Sequence, residues 1–434
     1  MNFKYSKELF LMGIISILLS CNSLGLLPQK TQIEKNEEIN NSPITSTSSQ
    51  YPIVDTNQEK CFDVSGVQIS CMQTGQDAQY KTLSPSFSDN NDGTISDHIT
   101  KLVWQQTADI NGDGKVNYDD KMSQSDSISY CENLTLAKKS DWRLPDIKSI
   151  YSLIDFNGKD ISAYDEEDSK LTPFINNYVF GFGYGDRSKK ERLIDAQWAT
   201  STKYVSNTMN GNNTMFGLNF ADGRIKGYPL TARGKDKKFY VQCVRGNENY
   251  GKNNFIDNKD GTITDLATNL MWQKNDNGLG VKWSDALEYC ENSREAGYSN
   301  WKLPDAKELQ SIVDYTRSPD TSNSAAINSV FNATSIINED KQKDFASYWS
   351  STSHENMTNA KNAVYISFGR ALGYFHGFWI DAYGAGAQRS APKDISQINI
   401  KQNGFKVVNG AIIRGPQGDV IRGLNFARCV RNIK

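Results

Sequence analysis

The sequence predicts an α+β fold built from two tandem copies of one module, on three observations. First, Phe87-Ser-Asp-Asn-Asn-Asp-Gly-Thr-Ile-Ser-Asp-His-Ile-Thr-Lys-Leu-Val-Trp104 aligns without gaps on Phe255-Ile-Asp-Asn-Lys-Asp-Gly-Thr-Ile-Thr-Asp-Leu-Ala-Thr-Asn-Leu-Met-Trp272, with eleven of eighteen positions identical. Second, further matches keep the same order. Tyr130-Cys-Glu-Asn133 answers to Tyr289-Cys-Glu-Asn292, Trp142-Arg-Leu-Pro-Asp146 to Trp301-Lys-Leu-Pro-Asp305, Trp198-Ala-Thr-Ser201 to Trp349-Ser-Ser-Thr352, and Cys243-Val-Arg245 to Cys429-Val-Arg431. Third, each copy mixes hairpin signals with helical spacing of apolar residues.

Taken in chain order, Asp92-Gly93 and Asp260-Gly261 are turn dipeptides set between short β-prone runs, a hairpin signal. A first helix follows the tryptophan: Trp283, Ala286, Leu287 and Cys290 fall at i, i+3, i+4 and i+7, with Ser284 read as its N-cap. Ser125 and Ile128 hold the equivalent places in the first copy. Leu-Pro-Asp opens a second helix in each copy, since proline is tolerated and aspartate favoured at a helix start. Asp305 and Glu308 have capping-box spacing. Ile150, Leu153 and Ile154 continue one apolar stripe; Leu309, Ile312 and Val313 continue the other. Alternating segments such as 216–220 and 364–368 complete each copy as strands of small antiparallel sheets with long loops.

The chain has 434 residues, 38% hydrophobic and 23% charged, with a net charge of -2. That balance suits a globular polar-surfaced protein and gives no reason to expect a nucleic-acid partner. Three histidines, His98, His354 and His376, lie far apart, which argues against a His-rich zinc hydrolase or a histidine-based triad. Residues 1–20 read as a signal peptide: Lys4 and Lys7 precede an apolar run over 9–19 that is too short to span a bilayer. Leu18-Leu19-Ser20-Cys21 resembles a bacterial lipobox, so Cys21 is expected to be acylated and to anchor the chain in a membrane. An ordinary signal peptide with a chance cysteine is the alternative. Residues 21–50 then form a polar tether with a reach of roughly 30 Å. The remaining divisions are a hairpin segment over 51–85, the first copy over 86–246 and the second over 254–434. The expected location is an exported, membrane-anchored lipoprotein of the outer membrane or cell surface.

Setting Cys21 aside leaves six of the seven cysteines, an even number in an exported chain. Cys61 and Cys71 flank a hairpin pattern with Ser65-Gly66 at its turn. Cys131 and Cys243 match Cys290 and Cys429 in position, and duplicated cysteines most simply pair within their own copy, first helix to last strand. Reactive free thiols are the competing alternative.

The joint motif set, Asp-Asn-x-Asp-Gly-Thr-Ile-x-Asp, Leu-(Val/Met)-Trp-Gln, Trp-(Arg/Lys)-Leu-Pro-Asp, the Trp198 and Trp349 segments and the closing Cys-Val-Arg, resembles the Lcl C-terminal domain family. That family is named for the C-terminal domain of the Legionella collagen-like adhesin. Gly415-Pro-Gln-Gly-Asp419, the Tyr51-Pro-Ile-Val-Asp-Thr stretch, Cys61 and Gln76-Asp-Ala-Gln-Tyr80 extend the likeness to about residues 51–432. The resemblance implies two C-type-lectin-like domains, each with two helices packed on its sheets, and surface adhesion through glycans, including sulfated ones. This chain lacks the adhesin's collagen-like Gly-x-y stalk.

Two segments invite ligands. Asp109, Asn111, Asp113, Lys115 (through its carbonyl), Asn117 and Asp120 occupy positions 1, 3, 5, 7, 9 and 12 of a twelve-residue loop with Gly114 at position 6. That is the order of an EF-hand, so a structural Ca²⁺ is expected; a metal-free polar loop of Asx turns is the alternative. The loop falls in a nine-residue excess between Trp104 and Cys131 over the spacing from Trp272 to Cys290. Asp89, Asp92, Asp97, Asp257, Asp260 and Asp265 read as hairpin residues. The usual sugar-binding Glu-Pro-Asn or Gln-Pro-Asp set of calcium-dependent lectins is absent. The candidate ligand-binding residues are therefore Tyr374, His376 and Trp379 in an aromatic run, with Arg370, Arg389 and Arg414; alternate rings buried in a core are the competing reading. Residues 380–434 hold nine basic residues against three acidic ones. The expected function is a non-enzymatic surface lipoprotein, an adhesin or binding module for a glycan or extracellular protein partner. The alternative is a structural or assembly lipoprotein of the cell envelope without glycan specificity.

Overall fold

The computed structural model describes residues 50–162, 164, 166, 170–401 and 404–433. The signal segment, Cys21 and the tether up to Ser49 lie outside the described residues. The described chain enters through Tyr51, whose N–H donates to the Ala267 carbonyl at 3.0 Å and whose ring meets Tyr250 edge-on at 4.7 Å. β1 (Cys61–Phe62) and β2 (Gln68–Ile69) then pair as a hairpin closed by the Cys61–Cys71 disulfide. Its turn places Gly66 at φ +82°, a conformation that only glycine adopts at no cost.

The first copy runs through β3 (Phe87–Asp89), β4 (Thr94–Asp97), β5 (Leu102–Gln105), α1 (Gln124–Asn133), α2 (Ile147–Tyr151), β6 (Gln197–Trp198), β7 (Thr214–Asn219), β8 (Arg224–Pro229), the small hairpin β9 (Thr231–Ala232) and β10 (Lys235–Asp236), and β11 (Val244–Gly246). The second repeats the plan: β12 (Phe255–Asp257), β13 (Thr262–Asp265), β14 (Leu270–Gln273), α3 (Trp283–Glu291), α4 (Ala306–Ser311), the hairpin β15 (Ser335–Ile337) and β16 (Lys343–Phe345), β17 (Ser347–His354) and β18 (Asn362–Ser367). It then inserts β19 (Leu372–Phe375) and β20 (Phe378–Asp381) before β21 (Gln388–Pro392). After these come β22 (Phe405–Val408), β23 (Ala411–Arg414), β24 (Asp419–Val420) and the closing β25 (Val430–Asn432).

Duplication is visible to the residue. β11-β5-β4-β3 and β25-β14-β13-β12 are four-stranded antiparallel sheets of one topology. Their registers agree: Trp104 lies opposite Ile95 and Val244, and Trp272 opposite Ile263 and Val430. The aspartates of the repeated hairpins are turn formers, Asp92 and Asp260 each accepting from the N–H and hydroxyl of the threonine two residues on. Disulfides join Cys131 of α1 to Cys243 and Cys290 of α3 to Cys429. Closing loops of 112 and 139 residues stabilises each copy by roughly 4–5 kcal/mol in the chain-entropy model.

The copies meet in a six-stranded sheet of order β17-β18-β21-β8-β7-β6. β8 and β21 are corresponding strands, and they pair antiparallel through Ile225 and Gln388. The sheet therefore reads the same from either end, as a two-fold symmetric dimer would, but within one chain. One continuous apolar core drawn from both copies lies beside it, containing Trp104, Ile150, Trp198, Trp272, Leu309 and Ile312. Satellite clusters surround each disulfide, with Trp142 and Leu144 in one and Trp301 and Leu303 in the other. Residues Ser48–Lys434 form one compact unit.

Helix starts correct the sequence in detail. α1 is capped by Ser123, which accepts from the Asp126 N–H, rather than by Ser125. α3 begins after Lys282 with no side-chain cap, leaving Ser284 inside the first turn. In both cases the helix starts two residues early, because Gln124 and Trp283 are buried members of the packing face. The second helices start as expected, with Asp146 and Asp305 as N-caps and a full capping box between Asp305 and Glu308. α2 is short, so Leu153 and Ile154 are buried in the turn after it. No helix among the described residues is long and apolar enough to cross a membrane.

Candidate functional site

The insertion in the second copy makes a five-stranded sheet, β20-β19-β24-β23-β22. Two glycines let its backbones approach. A Cβ on Gly418, at φ +63°, would stand 2.1 Å from the Tyr374 carbonyl, and one on Gly373 would stand 2.5 Å from that of Gln417. The β19–β20 hairpin turns at His376-Gly377, both at positive φ, as a tight two-residue turn requires. Tyr374 lies opposite Trp379 and Phe375 opposite Phe378. None of these four rings is fully buried, and Phe378 is 68% exposed. The competing reading, alternate rings in a core, holds in part: half-buried Tyr374 and Trp379 pack against a small core of Leu372, Ile413 and Val420, whereas Phe375 and Phe378 do not.

Above that core lies a groove of about 350 Å³ lined by Tyr374, Phe375, His376, Lys406, Ile413 and Arg414. Arg414 is exposed, with its guanidinium 4.9 Å from the Phe405 ring centroid. Tyr374, His376 and Arg414 are thus brought together as grouped from the sequence, and Phe375 and Lys406 join them. Trp379 supports the wall, packing edge-on against Tyr374 at 5.0 Å. Arg370 and Arg389 do not line the groove. Arg370 is paired with Asp320 and Asp344. Arg389 is paired with Asp419 and lies over the Tyr383 ring at 4.0 Å.

Most of the basic C-terminal stretch is similarly engaged. Arg422 is bidentate to Glu339, and buried Arg428 donates to the carbonyls of Gln273, Lys274 and Asn332. Arg431 covers the Tyr298 ring at 3.8 Å. Buried Lys393 sits 4.3 Å from the Trp283 ring centroid, its pKa pushed down to about 7 by desolvation. Lys401, Lys406 and Arg414 are the basic residues of this stretch classed as exposed among those described. A local excess of positive charge counted along the sequence is therefore mostly consumed inside the fold.

The inserted loop of the first copy is wound on its own backbone. Asp109 accepts from the N–H groups of Gly112, Asp113 and Gly114, Asn111 from Asp113, and Asp113 from Lys115. Asn117 accepts from Asp119, while Asp120 accepts from Ile110, Asn111 and Asn117. Gly112 and Gly114 take positive φ. The oxygen donors suit a hard cation in type and order. Among the described residues, however, no three or more His, Cys, Asp or Glu side chains are grouped to hold a metal.

Among the described residues the histidines and cysteines are not grouped with one another. His98 bonds to Ser88, His376 rims the groove, and His354 is buried against Phe174, its pKa lowered to about 4 chiefly by desolvation. All six cysteines of the described residues are in disulfides.

A model of the Lcl C-terminal domain family matches residues 93–245 and again residues 261–378, together more than half of the chain. The chain belongs to the Lcl C-terminal domain family. Both Lcl C-terminal domain matches begin at the turn glycine of the repeated hairpin, Gly93 and Gly261. The second match runs through β19 and stops at Phe378, the first residue of β20; beyond it, β25 pairs with β14 as β11 pairs with β5. Comparisons with curated proteins and with solved structures gave no match.

Proposed function

We propose that this protein is a non-enzymatic, surface-exposed binding lipoprotein of adhesin type, whose second copy holds a glycan in the Tyr374–Arg414 groove. One observation carries the reading: flat, part-exposed rings and two exposed cations share one open groove on an insertion that the shared core does not need. Aromatic faces pack against the C–H faces of sugars, and Lys406 and Arg414 add attraction for sulfate or carboxylate groups. Membership of the Lcl C-terminal domain family supports an adhesin role, and a helix-to-late-strand disulfide supports a C-type-lectin-like plan. Full engagement of the described cysteines supports binding over thiol chemistry. Acylation of Cys21, anchoring in a bacterial membrane and a structural Ca²⁺ in the 109–120 loop belong to the same proposal. A glycan array probed with the lipid-free protein tests it. Binding to a defined class of glycan, weakened by Tyr374→Ala and Arg414→Ala, is the expected result; no glycan binding would favour the envelope-structural alternative.

A further inference from the structure

The segment that joins the two copies passes over Lys148 of the first before it enters β12 of the second. Two overlapping turns fold it, Tyr250 N–H donating to the Asn247 carbonyl and Lys252 N–H to that of Asn249. Gly251, at φ +87°, runs so close that a Cβ there would stand 3.3 Å from Lys148 Cβ. Asn253 then meets the lysine. Lys148 Nζ donates to Asn253 Oδ1 at 2.9 Å and to the Ser311 carbonyl at 2.7 Å. The other arm of the same carboxamide is held as well: Asn253 Nδ2 donates to Oδ2 of buried Asp265 at 2.8 Å. Buried Tyr51 walls the site, its ring centroid 5.6 Å from Lys148 Nζ.

An amine, a carboxamide and a carboxylate therefore touch in that order. Burial pushes the Lys148 amine down to about 8 against the opposing pull of Asp146, Asp265 and Asp314. A neutral, nucleophilic amine is thus accessible near neutral pH. Asn253 Cγ, bonded to Oδ1 at about 1.2 Å, is the next atom in its reach. The matching places lack this set. Lys307 donates to the main-chain carbonyls of Asp55 and Ser152, and Pro85 stands where the second copy has Asn253. Asp97, the counterpart of Asp265, accepts from the N–H groups of Ile99 and Thr100, as Asp265 does from Ala267. The turn chemistry is common to both hairpins; the lysine–asparagine contact belongs to the joint between copies.

We infer that Lys148 and Asn253 condense into an intramolecular isopeptide bond, with Asp265 relaying the proton, and so tie the first copy covalently to the second. The lone pair of neutral Nζ attacks Cγ, the Nζ–Cγ bond forms and the Cγ–Nδ2 bond breaks. One Nζ proton passes through the Asp265 carboxylate to Nδ2, which departs as ammonia. No oxidant or co-reactant is consumed, and Asp265 ends as it began. Contact distance between the reacting groups exists only in the folded chain, so folding supplies the effective concentration that drives the step. The product amide keeps one N–H for the Ser311 carbonyl. Linkage removes the share of Lys148 from the alkaline titration and leaves that of Lys307. The disulfides each close within one copy or within the N-terminal hairpin, whereas this bond crosses between copies. It is independent of what the groove binds.

The test is mass spectrometry of the full chain, digested with trypsin after reduction. Wild type should yield a branched peptide joining Lys148 to Asn253, lighter by one ammonia than its two parts together. Lys148→Arg and Asn253→Ala should each abolish it. Asp265→Asn should slow its formation in protein that still shows a cooperative melting transition, while Asp97→Asn, at the matching turn of the first copy, should leave it intact. Recovery of only the two separate peptides from wild type overturns the inference and leaves the contact a hydrogen bond. Loss of ammonia without a branched peptide, or equal loss in Lys148→Arg, also overturns it by placing the chemistry at another asparagine. Full-rate linkage in folded Asp265→Asn overturns the proton relay. Should that variant fail to fold, the wild-type and Asn253→Ala digests still decide whether the bond exists.

Discussion

Lys148 and Lys307 are counterparts, and each caps the helix that carries the other. Lys307 Nζ donates to the Ser152 carbonyl at 3.0 Å, and Lys148 Nζ donates to the Ser311 carbonyl at 2.7 Å. Ser152 and Ser311 are themselves counterparts at the ends of α2 and α4. The last carbonyls of a helix lack intrahelical donors and favour a cation, so each copy completes the other. Lys307 also donates to the Asp55 carbonyl, which ties in the N-terminal segment. Removing either lysine strands a buried acceptor. Lys307→Ala should cost about 2–3 kcal/mol, read as a lowered guanidinium midpoint, while Lys307→Met should cost less because it retains the packing.

The same lysines set an alkaline stability profile. Burial pushes both Lys148 and Lys307 down to about 8, whereas an unfolded lysine keeps its proton to about 10.4. Between those values the unfolded chain binds more protons, so stability should rise with pH. Tyr51 and Tyr250 are raised well above their usual value by burial, and unfolded tyrosines ionise near about pH 10. Stability should therefore turn over near that pH and fall beyond it. Denaturant midpoints measured from neutral to strongly alkaline pH check this; a steady decline from pH 8 would be inconsistent with it.

Peptide mapping of the unreduced protein should recover the pairs Cys61–Cys71, Cys131–Cys243 and Cys290–Cys429. Replacing Cys290 and Cys429 together by alanine should lower stability by about 4–5 kcal/mol. Thiol titration of the native protein should find none of these six sulfurs free.

Calcium binding at the 109–120 loop should appear in calorimetry as one site abolished by Asp113→Ala. Filling it at a hundredfold excess over Kd would add about 2.7 kcal/mol of stability. Because the loop already satisfies its own carboxylates, Asp113→Ala should leave the metal-free fold intact. No heat above dilution would favour a loop held by Asx turns alone.

Much of the module was legible because its signals are local. Repeated hairpins, the Asp305–Glu308 capping box and within-copy cysteine pairing are fixed by spacing over short distances or by duplication itself. The joint between copies was not legible. Its sheet closes through Ile225 and Gln388, 163 positions apart, and no local pattern marks either as an edge partner. The candidate site was half legible for a related reason. Tyr374 and His376 share one hairpin, so their grouping follows from sequence, whereas Arg370 and Arg389 are neutralised by Asp320 and Asp419, brought in by tertiary folding.

The most direct measurement is the affinity of wild-type and Tyr374→Ala/Arg414→Ala proteins for the strongest glycan found on an array, in one buffer with matched melting temperatures. The account predicts saturable wild-type binding and a loss of about tenfold or more in the variant, as removing a stacking ring and a cation together should produce. Equal affinities for the two proteins would contradict it.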